Sequence, residues 1–211
     1  MLKQDDTFVL IGDSITENGR FEDPQGIGIG YAALIHDYLM VKHPELHLAI
    51  YNRGISGNRV TDLEDRWQQD VLDLNPNWVS ISIGVNDAWS QTKHPDRDQV
   101  YPELFEEIYD RLIRYTLEKT NARLILMEPT IIKEELDSEE NQTLKPYIEA
   151  VHRLAIKYDA ILVPTNQVFQ TYLEAESNVP VTTDGVHMNS KGDVLMATAW
   201  IDAFNQSDNK Q

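Results

Sequence analysis

The sequence predicts an α/β protein: a five-stranded parallel sheet covered by helices on both faces. Three observations carry that prediction. Short apolar runs bounded by Gly, Asn or Pro recur five times along the 211 residues. The segments between them place apolar residues at helical spacing. No repeat, linker-like stretch or low-complexity segment divides the chain, so a single domain over 1–211 is expected. Strands that alternate with helices return to the same end each time, which makes their pairing parallel and buries both sheet faces.

Taken in order, the strands are expected at 8–12, 48–51, 78–84, 124–127 and 160–164. Tyr31, Leu34, Ile35, Tyr38 and Leu39 mark a helix after the first. Thr61-Asp62-Leu63-Glu64 has the form of a capping box opening the helix that carries Trp67 and Val71. Leu104, Ile108, Leu112 and Tyr115 mark the next helix, and Val151, Leu154, Ala155 and Tyr158 another. A last helix starts near Asn189–Ser190, with Ser190 and Asp193 as a second box, and runs through Leu195 to Phe204. The acidic stretch 133–140 is expected to be a solvated insertion after the fourth strand.

Charge and composition then exclude chemistries. Eighteen Lys and Arg against 35 Asp and Glu give a formal net charge of −17. Nucleic acid and anionic membranes are held by clustered Lys and Arg, so neither is an expected partner. The absence of Cys removes disulfides, thiolate catalysis and cysteine metal sites. The other histidines, His36, His43, His47, His94 and His152, lack metal-ligand spacing, so no metal and no cofactor is expected. A neutral small molecule is the default ligand. The first residues carry one Lys and then acids, without the long apolar stretch of a secretory signal, so a cytoplasmic location is expected.

In a parallel sheet, ligands bind outside the carboxyl ends of the strands, so the residues following each strand are where chemistry is sought. Gly12-Asp13-Ser14 follows the first: a serine at a strand-to-helix turn can aim its hydroxyl into the crevice while its own N–H faces a developing oxyanion. Asn52-Arg53-Gly54-Ile55-Ser56-Gly57-Asn58 follows the second, where two glycines can present a bare N–H. Gly84-Val85-Asn86-Asp87 follows the third, and the Asn86 amide can donate to an oxyanion. Asp184-Gly185-Val186-His187 precedes the last helix. Its spacing of three lets the carboxylate hold one imidazole nitrogen while the other faces the crevice.

These four blocks, in this order from position 12 to 187, resemble the GDSL (SGNH) esterases and lipases. The resemblance implies their flavodoxin-like, three-layer α/β/α sandwich. It implies Ser14 as nucleophile, His187 as general base and Asp184 as its orienting partner. The Ser14 and Gly54 N–H groups and the Asn86 amide would form the oxyanion hole, with Asp13 and Trp89 as substrate-pocket candidates. The segments 52–58, 66–67 and 78–89 are further similar to a bacterial subgroup containing acetyl-xylooligosaccharide esterases. That likeness implies removal of acetyl groups from sugars, and relatives of this kind often form homo-oligomers. Met188 stands where family members often carry Pro after the histidine, which puts the stiffness of that loop in question.

Other readings remain open from sequence. A lysophospholipase or thioesterase would need a long acyl groove, and no exposed apolar stretch offers one. A flavodoxin-like nucleotide or flavin binder is the reading of a different class, since Gly28-Ile29-Gly30-Tyr31-Ala32-Ala33 fits G-x-G-x-x-A. That motif follows no strand, however, and the dinucleotide fingerprint requires one. A silent sugar-binding module is disfavoured by the intact Ser14, Asp184 and His187.

Overall fold

A computed structural model describes residues 2–175 and 179–208. Five strands form one sheet: β1 Thr7–Gly12, β2 Ala49–Gly54, β3 Trp78–Ser82, β4 Arg123–Met127 and β5 Ile161–Val163. All pair in parallel, in the order β2-β1-β3-β4-β5. The helices are α1 Ser14–Glu17, α2 Tyr31–Lys42, α3 Val60–Asp70, α4 Val85–Lys93, α5 Pro102–Lys119, α6 Glu139–Lys157, α7 Thr165–Glu174 and α8 Ser190–Asp208. The chain steps from β1 outward to β2, then returns across β1 to β3. With right-handed crossovers, that reversal puts α2 on one face and α3 on the other. α2 packs beside α8 and α8 beside α7, while α3, α5, α6 and α4 make the opposing row.

The core is one contiguous cluster on both sheet faces. β1 is apolar from Phe8 to Ile11 and β3 is buried along its whole length, Ser80 and Ser82 included, because neither face meets water. Phe8 and Trp78 stack at 5.5 Å, and Trp200 and Phe204 of α8 stack at 4.9 Å against them. The indole donors of the three buried tryptophans are matched, Trp67 to Thr116, Trp78 to Asp6 and Trp200 to Ser80, so these large rings are buried without an orphaned N–H.

Several local expectations are corrected. β2 runs on to Gly54 rather than ending at Tyr51, and β3 stops at Ser82. The N-cap of α3 is Arg59, whose N–H is taken by Asp62 Oδ2 at 2.7 Å. Thr61 therefore lies inside the helix and opens nothing. Ser190 and Asp193 form no box either. Asn189 Oδ1 accepts from Lys191 and Gly192 N–H, and Asp193 reaches across to accept from Tyr31 N–H at 3.0 Å, capping α2. On α5 the buried stripe is Phe105, Ile108, Tyr109, Leu112, Ile113 and Thr116; Leu104 and Tyr115 are exposed. Helices α4 and α7 occupy stretches to which the sequence pattern assigned no helix.

The register sets up the site. Gly12 aligns with Gly54 on one side and Ser82 on the other, so three strands end at one level. The switch in strand order falls between β1 and β3, and the crevice at their carboxyl ends is where such sheets bind ligands.

Candidate active site

Ser14 is the first residue of α1, directly past β1. Asp13 caps that helix: its Oδ1 accepts from Ile15 N–H at 3.0 Å. Ser14 Oγ lies 2.9 Å from His187 Nε2, and His187 Nδ1 lies 2.7 Å from Asp184 Oδ2. Asp184 Oδ1 accepts from the N–H groups of Val186 and His187. Partial burial pushes the Asp184 carboxyl up, but these donors outweigh it and hold it at about 2, so it is ionised across the working range. A serine hydroxyl, an imidazole and a fixed carboxylate thus lie in one chain. Such a chain can deprotonate the hydroxyl as it attacks and hand the proton to a leaving group.

The loop bearing Asp184 and His187 is stiff by its bonding. Thr183 N–H donates to His187 O and Asn189 N–H to Val181 O, across a bridge between Thr182 and Met188. The Met188 side chain is buried, with its sulfur close against Gly192. The loop's order therefore comes from its neighbours, without a proline. A missed residue anchors it. Glu134 Oε1 accepts from Val181 N–H at 2.9 Å, Thr182 N–H at 2.8 Å and Thr182 Oγ1 at 2.6 Å. The acidic stretch after β4 is thus no mere solvated insertion. Asn141 braces its backbone through Ile132 N–H, Lys133 O and Glu135 O.

The free N–H groups at the strand ends are distributed differently from expectation. The Ser14 N–H precedes the first intrahelical bond and is unbonded among the described residues. Asn86 lies in the first turn of α4, where Nδ2 donates to Asn58 O at 3.0 Å and keeps its second N–H spare. Gly54 does not supply a free donor. Its N–H is already given to Asn52 Oδ1 at 2.8 Å, and Asn52 is itself buried and bonded to Thr16 O and Ile27 O. Gly54 is needed for a different reason: a Cβ there would sit 2.2 Å from Glu17 N, where α1 packs against β2. Of the two loop glycines, Gly57 is the one whose N–H has no partner among the described residues. It has φ of +80° and open space where a Cβ would project. The sequence offered both glycines, and only the bonding chose between them.

Neither pocket candidate is hydrogen-bonded to the Ser14 or His187 side chain among the described residues. Asp13 is buried beneath Ser14 as a cap, so it lines no substrate surface. Burial pushes its carboxyl up to about 6, against the pull of Ile15 N–H and the His187 charge. Trp89 on α4 is half-buried, with the Lys93 ammonium 4.3 Å from its ring centroid, so that face is occupied by a cation. Asp87 is fully buried; burial pushes it up to about 7, while its Oδ1 accepts from Val60 N–H and its Oδ2 has no partner among the described residues. Among the described residues no group of His, Asp and Glu is arranged to hold a metal, and no helix is long and apolar enough to cross a membrane.

The sequence model of the GDSL-like lipase/acylhydrolase family matches residues 10–195. The chain belongs to that family. Its serine, asparagine and Asp–His blocks all lie within the matched region, and the chain is a carboxylic ester hydrolase. The acetylxylan esterase of Geobacillus stearothermophilus is 33% identical over 201 residues, covering 92% of this chain and 91% of that one. A crystal structure of that esterase superposes with a TM-score of 0.86 at 31% identity, over 96% of this chain and 95% of its own. An α/β hydrolase from the metagenome of Lake Arreo, Spain, gives 0.88 at 31% identity, over 97% of each.

Proposed function

We propose that this esterase removes short acyl groups, acetyl above all, from carbohydrate esters such as acetylated xylo-oligosaccharides, through an acyl-enzyme on Ser14. The observation that carries the reading is the unbroken chain Ser14 Oγ–His187–Asp184 at 2.9 and 2.7 Å. As Ser14 Oγ attacks the ester carbonyl, its proton passes to His187 Nε2, and Asp184 stabilises the imidazolium and fixes its tautomer. The carbonyl oxygen gains negative charge and meets the N–H groups of Ser14 and Gly57 and the Asn86 amide. His187 then protonates the departing sugar oxygen, the C–O bond breaks, and an acetyl ester remains on Ser14. Water attacks that ester with His187 again as base, releasing acetate.

The substrate part of the reading draws on the Geobacillus enzyme, which is described as an acetylxylan and acetyl-xylooligosaccharide esterase. Catalytic mutants of that protein have been solved at a serine, an aspartate and a histidine, the residue types found joined here. The test has two arms. Ser14→Ala should abolish turnover of p-nitrophenyl acetate while leaving the circular dichroism spectrum unchanged; persistent hydrolysis in a contaminant-free preparation would sink the acyl-enzyme. An acyl series from acetyl to octanoyl, run beside acetylated xylo-oligosaccharides, should fall with chain length. Rates that rise with length would replace the sugar deacetylase with a long-chain acyl hydrolase.

A further inference from the structure

Three separate segments carry the candidate oxyanion donors, and one side chain touches the support of each. Arg66 projects from α3, with its side chain only 14% exposed. Its Nη2 donates to Gly12 O at 3.1 Å, two residues before Ser14. Its Nη1 donates to Arg53 O at 2.8 Å, and its Nε donates to Asn58 Oδ1 at 2.8 Å. Those last two contacts bracket the turn containing Gly57, with Asn58 N–H closing it onto Ile55 O. Asn58 in turn offers its own carbonyl to Asn86 Nδ2. Gly12 O accepts a second bond, from Ile55 N–H, so the β1 end and the Gly57 turn are tied together directly.

We propose that Arg66 is the positioning residue of the oxyanion site, holding the Ser14, Gly57 and Asn86 donors at fixed mutual distances. This inference rests on the acyl-enzyme reading above and goes beyond it by naming what sets the geometry. The chemistry suits guanidinium alone. Its planar fork directs N–H groups along several fixed lines at once, whereas a lysine ammonium is a point charge that cannot span all three acceptors. Asp70 Oδ2 accepts from Nη1 at 2.6 Å and supplies the counter-charge the buried cation requires. Arg66 touches no reacting atom. Its effect is felt where charge develops, because donors must lie about 2.7–3.1 Å from the oxyanion to stabilise it, and displacement by about 1 Å can cost on the order of 10²-fold in rate.

The experiment compares wild type, Arg66→Lys, Arg66→Ala and Asn58→Ala, each normalised by fluorophosphonate labelling of Ser14. In Arg66→Lys, kcat per labelled site on p-nitrophenyl acetate should fall roughly 10–100-fold, with KM changed less than about threefold. Inhibition by a phenylboronic acid, whose tetrahedral adduct puts an oxygen in the same site, should weaken by a similar factor. Asn58→Ala should give a smaller fall of the same kind, and it carries the test if Arg66→Ala does not fold. A purely structural role would lower the melting temperature and the labelled fraction but leave kcat per labelled site unchanged; a value within about twofold of wild type in Arg66→Lys overturns the inference. If wild type itself is neither labelled nor active, the acyl-enzyme reading fails first and this one with it.

Discussion

Asn86→Ala separates catalytic from structural worth most sharply. Asn86 spends one amide N–H on Asn58 O and keeps the other spare, so truncation removes one neutral hydrogen bond and, on the proposed mechanism, one oxyanion donor. The first loss is worth about 0.5–1.5 kcal/mol of folding stability. The second is worth about 3–4 kcal/mol of barrier, or on the order of 10²–10³ in kcat. The two magnitudes differ enough to be told apart. The melting temperature should fall by only a few degrees, roughly 2–4 °C for a chain of this size, while kcat on p-nitrophenyl acetate falls by two to three orders. KM should be nearly unchanged, because the oxyanion exists in the transition state and not in the bound ester. Fluorophosphonate labelling of Ser14 should slow by a similar factor, since the attack builds the same charge. A kcat within about twofold of wild type in a folded, Ser14-competent protein would remove Asn86 from the mechanism.

Two further outcomes follow from groups away from the reacting atoms. Glu134→Ala removes the acceptor of three hydrogen bonds at Val181 and Thr182, so the His187 loop should loosen; kcat/KM should drop about 10-fold or more, and amide exchange across 181–187 should accelerate. Glu134→Gln keeps an acceptor oxygen and should recover most of the loss, and exchange rates unchanged in the Ala variant would refute the anchoring role. Asp87, raised to about 7 by burial, binds a proton in the folded state that the unfolded chain releases near its ordinary value of 3.8. Its contribution is therefore fully present below about pH 4 and lost as pH rises through 7. Asp13, raised to about 6, acts in the same direction. Stability should decline between about pH 4 and 7, by on the order of a few kcal/mol, and Asp87→Asn should flatten the upper part of that slope in thermal melts; an identical slope in the variant would refute the assignment.

The Ser14, His187 and Asp184 contacts were legible in the linear chain because their geometry is local. A serine two residues past a strand end must sit at the carboxyl edge of the sheet, and an Asp and a His three residues apart on one loop can meet without help from the rest of the fold. The strand cores were legible for the same kind of reason: fully buried parallel strands are written as unbroken apolar runs. Boundaries were less so. Nothing in 83–93 marks α4 as a helix, since Asn86 and Asp87 read equally as turn formers, and α3 takes its start from Asp62 reaching back to Arg59.

Composition by itself excluded thiol chemistry and disulfides and spoke against polyanionic partners, and with no Cys available the motif order pointed to a hydroxyl nucleophile at Ser14. Only the tertiary structure decided which donors and supports complete the site. Gly54 and Gly57 look alike in the sequence; Asn52 takes the N–H of one, and α1 presses on its Cα, which leaves the other free. Glu134 lies 47 residues before Val181, the first residue of the loop that donates to it, and Arg66 lies 54 residues past Gly12. Their partners are mostly backbone groups, which every residue carries and no pattern records, so such contacts become visible only when the sheet brings the strand ends to one level.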